Sequence, residues 1–265
     1  MNKLIGLEPL YIEETDTLIN GVVELYADGC NVTCNYKDGK LEGLVEWFYE
    51  SGQKKSKGNF KDGKEDGLVE WFYCNGQLER KGNFKDGKRE GIFEWFYDNG
   101  ELKGKENYKD GKLQGLVEWF YENRQTKSMG FFKDGKREGI FGWFYDNGQL
   151  KIKENYKDGK REGFDKCFYE NGLIKGKENY KDGKLEGIFE WFYENGQKKS
   201  KGNFKNDKRE GIFEWFYDNG QLKRKKNYKD GRAEGISEKF DKDGKLLDIE
   251  YYKDAEECYQ NGSFH

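Results

Sequence analysis

The sequence predicts an all-β chain: an elongated repeat array of antiparallel β-hairpins, built as a single-layer twisted sheet or an open solenoid. Three observations predict it. A glycine returns every 24 residues, at Gly43, Gly67, Gly91, Gly115, Gly139, Gly163, Gly187, Gly211 and Gly235, and such a period marks an array whose units contact mainly their neighbours. Each full copy carries two turn signals, Asn99-Gly100 and Asp110-Gly111 in the copy over 91–114, which leave no room for a helix of ordinary length. Between the turns the chain is rich in aromatic and aliphatic residues, as strands are.

In chain order, residues 1–20 hold the only proline, Pro9, and a short apolar patch at Leu10, Tyr11 and Ile12. They are expected to cap the first sheet edge, because an open edge invites aggregation. The array is expected over 21–252, opening on a shortened copy with its turn at Asp28-Gly29. The last hairpin keeps Asp243-Gly244 but has Lys239 where tryptophan is expected, as suits a terminal copy that faces water. Residues 253–265 read as a polar tail.

Charged residues make up 37% and mean hydropathy is -1.15, values that alone would suggest disorder. The 17% aromatic content and its strict phasing argue otherwise. With 48 basic against 51 acidic residues, nucleic-acid binding has no electrostatic support. No segment approaches a membrane span or a signal peptide, and a cytoplasmic location is the default expectation. Cys30 and Cys34 would stand roughly 13 Å apart along one strand, too far for an unstrained disulfide. They, Cys74, Cys167 and Cys258 read as reduced thiols without zinc spacing.

The turns set a register. If Asn99-Gly100 closes a two-residue type I′ loop, Tyr97 faces Leu102, Glu94 faces Lys105 and Gly91 faces Tyr108. If Asp110-Gly111 does the same, Leu102 faces Trp119 and Lys103 faces Glu118. Alternation then collects Phe93, Trp95, Tyr97, Leu102, Tyr108, Val117 and Trp119 on an aromatic face. Ile92, Glu94, Phe96, Lys103, Lys105 and Asn107 fall on a charged one. Within hairpins Glu46–Lys57, Glu70–Lys81, Glu94–Lys105, Glu190–Lys201 and Glu214–Lys225 pair; between hairpins, Lys55–Glu70, Lys103–Glu118, Lys175–Glu190 and Lys199–Glu214. Each pair is worth about 0.2–1 kcal/mol, and together they resist a one-residue slip. Two-residue loops align residue i with i+22, whereas its repeat equivalent is i+24. Either the strands tilt, or a bulge in the Lys-Asp-Gly-Lys-x-Glu-Gly connection absorbs the difference.

The phrase Trp-Phe-Tyr-Glu/Asp-Asn-Gly-Gln-Leu-Lys, followed by Asn-Tyr-Lys-Asp-Gly-Lys-x-Glu-Gly, resembles the MORN repeat variant family over roughly residues 20–252. The resemblance implies a β-hairpin array serving as an interaction module without catalysis. Bacterial chains of this kind are described as antitoxins, so it also implies an antitoxin or immunity protein binding a cognate toxin. Related repeats are associated with membrane-proximal scaffolding, for which the residues themselves supply no support.

No catalytic constellation is visible: the only histidine is His265, and the carboxylates recur at repeat-fixed positions opposite lysines. The Asp-Gly turns lack the dense oxygen ligands of a calcium loop, so no metal or cofactor is expected. Candidate partner-binding residues are of two kinds. The first is the tryptophan ladder Trp47, Trp71, Trp95, Trp119, Trp143, Trp191 and Trp215, which serves either as core or as a contact surface. The second is the set of departures from the repeat. Arg124 replaces a turn glycine, Met129 a paired lysine and Gly142 a glutamate. Phe164-Asp165-Lys166-Cys167 stands where Ile-Phe-Glu-Trp is expected, with Asp165 on the aromatic face and Lys166 opposite Lys151 and Lys177. Asn206-Asp207 replaces an Asp-Gly turn. Residues 124–178 are therefore read as a kink or docking site. The expected function is a non-enzymatic scaffold for a protein partner. The alternative is an exported adhesin, or a carbohydrate- or choline-binding module of aromatic hairpins.

Overall fold

The computed structural model describes residues 11–12, 17–27 and 29–252, and none of these is helical. The chain divides into two compact units, up to Lys136 and from Arg137. In the first, strands Gly21–Ala27, Cys30–Lys37, Gly43–Phe48, Lys54–Lys61, Lys64–Phe72, Leu78–Lys85, Lys88–Phe96, Leu102–Lys109, Gly115–Phe120 and Thr126–Lys133 follow one another. Each runs antiparallel to its chain neighbours. The second repeats the arrangement from Lys136–Phe144 through Leu150–Lys157, Gly163–Phe168, Ile174–Lys181, Lys184–Phe192, Lys198–Lys205, Lys208–Phe216, Leu222–Lys229 and Arg232–Phe240 to Leu246–Tyr252.

Most of the segment expected as an N-terminal cap, 1–20, lies outside the described residues. Tyr11–Ile12 pairs with Thr17–Leu18, the Ile19 carbonyl accepts from the Gly39 amide at 3.1 Å, and Asn20 accepts from the Asp38 amide at 2.8 Å. Pro9, Leu10, Asp28, Cys258, His265 and the expected tail lie outside the described residues.

The two turn signals build different turns. Asp110 and Gly111 have φ of 50° and 79° between paired Lys109 and Lys112, the left-handed pair that a type I′ loop demands. Asn206-Asp207 adopts the same conformation, with φ of 49° and 65°. Asn99-Gly100 corrects the expectation. Only Gly100 has positive φ there; its amide reaches the Tyr97 carbonyl at 2.9 Å, and the Tyr97 amide reaches Glu101 at 2.8 Å. This is a three-residue loop, a type I turn closed by a left-handed glycine. Asn99 is used through its side chain instead, which accepts from the Glu101 amide at 2.9 Å, as turn asparagines do.

The longer loop shifts the register at that end. Gly91 faces Tyr108 and Glu94 faces Lys105 as expected, but Leu102 faces Phe96 rather than Tyr97. Toward the next strand Glu118 faces Lys105 and Trp119 faces Gly104, so neither Lys103–Glu118 nor Leu102–Trp119 forms. The inter-hairpin partners of glutamate are Lys57, Lys105, Lys177 and Lys201. The lysines expected there, Lys55, Lys103, Lys175 and Lys199, lie over the rings of Tyr49, Tyr97, Tyr169 and Tyr193 at 5.3–5.8 Å. Tyr97 and Lys103 are thus in contact, not on opposite faces.

The offset of two is absorbed by bulges. Between Leu78–Lys85 and Lys88–Phe96, Asn83 faces Glu90 but its neighbour Gly82 faces Phe93. Gly91 and Ile92 are extra, and Gly91 takes φ 75°. The 24-residue glycine marks this bulge, where a left-handed residue is needed. With the offset absorbed, equivalent residues align across the first unit: Glu46, Lys57, Glu70, Lys81, Glu94, Lys105 and Glu118 face one another in one ladder.

The thin core has two parts. In the opening copies Cys30, Val32, Cys34, Tyr36, Leu41, Val45, Trp47 and Phe60 form one buried cluster, joined by Ile19, Val23, Leu25 and Ala27. The cysteines there are free and pack as small hydrophobes; burial raises the Cys34 thiol pKa. Beyond it, aromatic rings lie directly on strand glycines. A Cβ added at Gly82 would meet the Phe93 ring at 2.4 Å, and Phe93 is 1% exposed. Hairpins are also tied by tyrosine hydroxyls: Tyr73 donates to the Phe96 carbonyl and Tyr97 to that of Phe120, both at 2.7 Å.

Candidate functional site

The tryptophan ladder is packed into the aromatic face. Trp47 is buried and the other six are half-buried. Trp95 lies 6.0 Å from Phe93 and 5.4 Å from Trp119, ring centre to ring centre. The Arg80 guanidinium lies over Trp71 at 4.4 Å, that of Arg137 over Trp143 at 5.6 Å, and that of Arg209 over Trp215 at 5.7 Å. Trp191 donates its indole N–H to Glu178 at 3.2 Å. These six rings already carry intramolecular partners.

The same face holds a polar set that sequence reasoning missed. Arg89 donates to the Tyr108 hydroxyl at 2.7 Å, and that hydroxyl donates to Glu106 at 2.5 Å. Arg137, Tyr156 and Glu154 repeat the set, as do Arg161, Tyr180 and Glu178. The signal was present within the chain. Copies with arginine at this position (89, 137, 161, 209) have tyrosine 19 residues on, whereas those with Leu41, Glu65, Leu113 or Leu185 have phenylalanine. Burial and the carboxylate partner push the Tyr108 hydroxyl up to about 12.

The departures fall in both units. Arg124, in the first, holds the left-handed position of its turn with φ 65° and pairs with Glu101. Met129 faces Glu118, ending that unit's ladder without a cation. Asp165 and Lys166 lie in the second unit, on opposite faces of strand Gly163–Phe168.

On the charged face Lys166 stands between Lys153 and Lys177; the expected neighbour Lys151 instead lies over Tyr145 at 5.2 Å. The ladder therefore reads Gly142, Lys153, Lys166, Lys177, Glu190, three lysines in succession where other copies alternate sign. Like charges directly opposite are destabilising. Lys177 has Glu190 only at 3.9 Å, and Lys153 and Lys166 are exposed. Beside them Phe164 is 60% exposed. It takes the position filled by exposed Ile140, Ile188, Ile212 and Ile236 elsewhere in this unit and by Leu44, Leu68 and Ile92 in the first. This aliphatic row, one side chain per bulge, is a second feature not singled out from sequence. Its signal was the residue after each repeat glycine.

On the aromatic face Asp165 is 6% exposed. Its Oδ1 accepts from the Asn155 amide at 3.0 Å, and its Oδ2 lies 3.5 Å from Arg161 Nε without a hydrogen bond. Arg161 also pairs with buried Glu154. Desolvation, reinforced by Glu154, pushes the Asp165 carboxyl up to about 6.

The profile of the MORN repeat variant matches residues 41–62, 65–86, 89–110, 137–158, 185–206, 209–230 and 233–254. It passes over 113–134 and 161–182, the copies that carry Arg124 with Met129 and Phe164 to Cys167. A search of curated proteins found no match. Among solved structures, the crystal structure of TcdB2-TccC3-Cdc42 is similar at 12% identity over 83% of this chain and 14% of that one. The TM-score is 0.19, too low to carry an argument. The seven matched segments cover more than half of the sequence, and the chain belongs to the MORN repeat variant family.

Proposed function

We propose that this chain is a non-enzymatic protein-interaction scaffold. Its partner docks on the charged face of the second unit, setting carboxylates against Lys153, Lys166 and Lys177 and apolar side chains against Phe164 and the isoleucine row. The observation that carries this reading is the lysine succession. Three adjacent lysines cost stability where one glutamate would remove the repulsion, and the exposure of Lys153 and Lys166 beside an exposed phenylalanine suits an acidic partner surface with apolar contacts. A repeated surface gives a partner many equivalent registers; a single irregular copy gives it one. A cognate toxin, the partner implied by the family resemblance, is one form of this proposal. The packed state of the tryptophans favours it over aromatic cages for choline or sugar.

The test is site-specific photo-crosslinking in the native cell, with the photoreactive residue replacing either Phe164 or Ile212. A discrete protein adduct at 164 and none at 212 is expected. Equal adducts at both positions, or none at 164, would overturn the docking site.

A further inference from the structure

The copy that sets three lysines side by side on one face has a cavity on the other. Where neighbouring copies carry valine or phenylalanine followed two residues later by tryptophan, this one has Asp165 and Cys167. The space left is about 170 Å³, lined by Ile152, Glu154, Asp165, Cys167, Glu178 and Trp191 together with Arg161, Lys166 and Gly176. At the roughly 30 Å³ that a water occupies in the liquid, it holds about five or six non-hydrogen atoms. The walls at Ile152, Cys167 and Trp191 are apolar.

The hydrogen-bond inventory of the three carboxylates is specific. Glu178 accepts from Tyr180 at 2.8 Å and from Trp191 at 3.2 Å. Glu154 accepts from Tyr156 at 2.7 Å and from Arg161. Asp165 has one oxygen occupied by the Asn155 amide; the other, Oδ2, is in ion-pair range of Arg161 Nε at 3.5 Å, on a side chain 7% exposed, but accepts no hydrogen bond. The lining sets three carboxylates against two cationic residues, Arg161 and the exposed Lys166. Buried polar atoms without a hydrogen bond are rare and costly. This one lines a cavity with apolar walls and a surplus of negative charge.

We infer that this cavity binds a primary alkylammonium group, its methylenes along Ile152, Cys167 and Trp191 and its N–H donors at Asp165 Oδ2. A lysine side chain of a protein and a free alkylamine share that chemistry. The site is on the face opposite Lys166 and does not depend on the docking proposal.

The test is titration of the full chain with n-butylammonium at pH 7.5. It is read by NMR at the Trp191 indole N–H, assigned by its loss in Trp191→Phe. Saturable shifts are expected with n-butylammonium, with at least tenfold weaker binding of n-butanol. Asp165→Asn should weaken butylammonium at least tenfold, and Cys167→Trp, which refills the space with the residue of the other copies, should abolish the shifts. An acetylated, amidated Gly-Lys-Gly peptide separates the sources: binding comparable to butylammonium points to a protein lysine, and at least tenfold weaker binding to a free amine. No saturable shift with butylammonium, equal binding of butanol, or unchanged binding in Asp165→Asn would overturn the inference.

Discussion

Asp165 shows how one residue can load a repeat with strain that its sister copies lack. Val117 and Phe213 fill the equivalent place and are buried without cost, whereas Asp165 must be desolvated, and its carboxyl is pushed up to about 6. An unfolded aspartate titrates near 3.9. Because the folded value is the higher one, its contribution to stability is fully present below about pH 4 and is lost as pH rises through about 6. The shift corresponds to on the order of 3 kcal/mol. Denaturant unfolding of wild type and Asp165→Asn at pH 4 and pH 7 should show the wild type losing ground to the variant by that order at the higher pH. Parallel pH dependence of the two proteins would show that burial of Asp165 is not what shifts it.

Within a strand pair, the glycine under each ring is as much a part of the core as the ring. Gly82→Ala should destabilise by about 1–3 kcal/mol, because Phe93 must leave its seat. In Gly100→Ala the cost of about 1–2 kcal/mol is conformational, from φ 85° in the turn. The arginine, tyrosine and glutamate sets make a sharper element-scale prediction. Tyr108→Phe alone leaves Arg89 and Glu106 short of a partner and should cost about 1–3 kcal/mol. Combining it with Arg89→Leu and Glu106→Gly reproduces the pattern of the copy over 185–204 and should recover most of that loss. Additive losses in calorimetry would show that the three residues do not act together.

Across the molecule, what could be read from sequence was what repeats. The period, the alternation of faces, the intrahairpin glutamate–lysine pairs and the Asp-Gly turns all follow from spacing. Where the reading went astray, an asparagine offered two uses. Asn99 could take positive φ or cap with its side chain, and its choice of the cap added a loop residue that set Leu102 against Phe96, while the bulge after the Asp-Gly turn set Lys105 rather than Lys103 against Glu118. The bulge at Gly91 was foreseen as one of two ways to absorb the offset, and only the backbone shows which was taken. The candidate site was legible in part. Arg124, Asp165 and Lys166 stood out as departures. The lysine succession depended on that corrected register, and the cavity depended on how neighbouring rings settle around a missing one.

The proposal that this scaffold carries a docking surface at its irregular copy is tested most directly by Lys166→Glu. That substitution restores alternation between Lys153 and Lys177, so it should raise stability by about 1 kcal/mol. Partner affinity, measured with the protein crosslinked at position 164, should nevertheless fall at least tenfold, and wild-type binding should weaken as salt is raised. A variant that is more stable and binds as well as wild type would contradict the account, because the lysines would then cost stability without serving recognition.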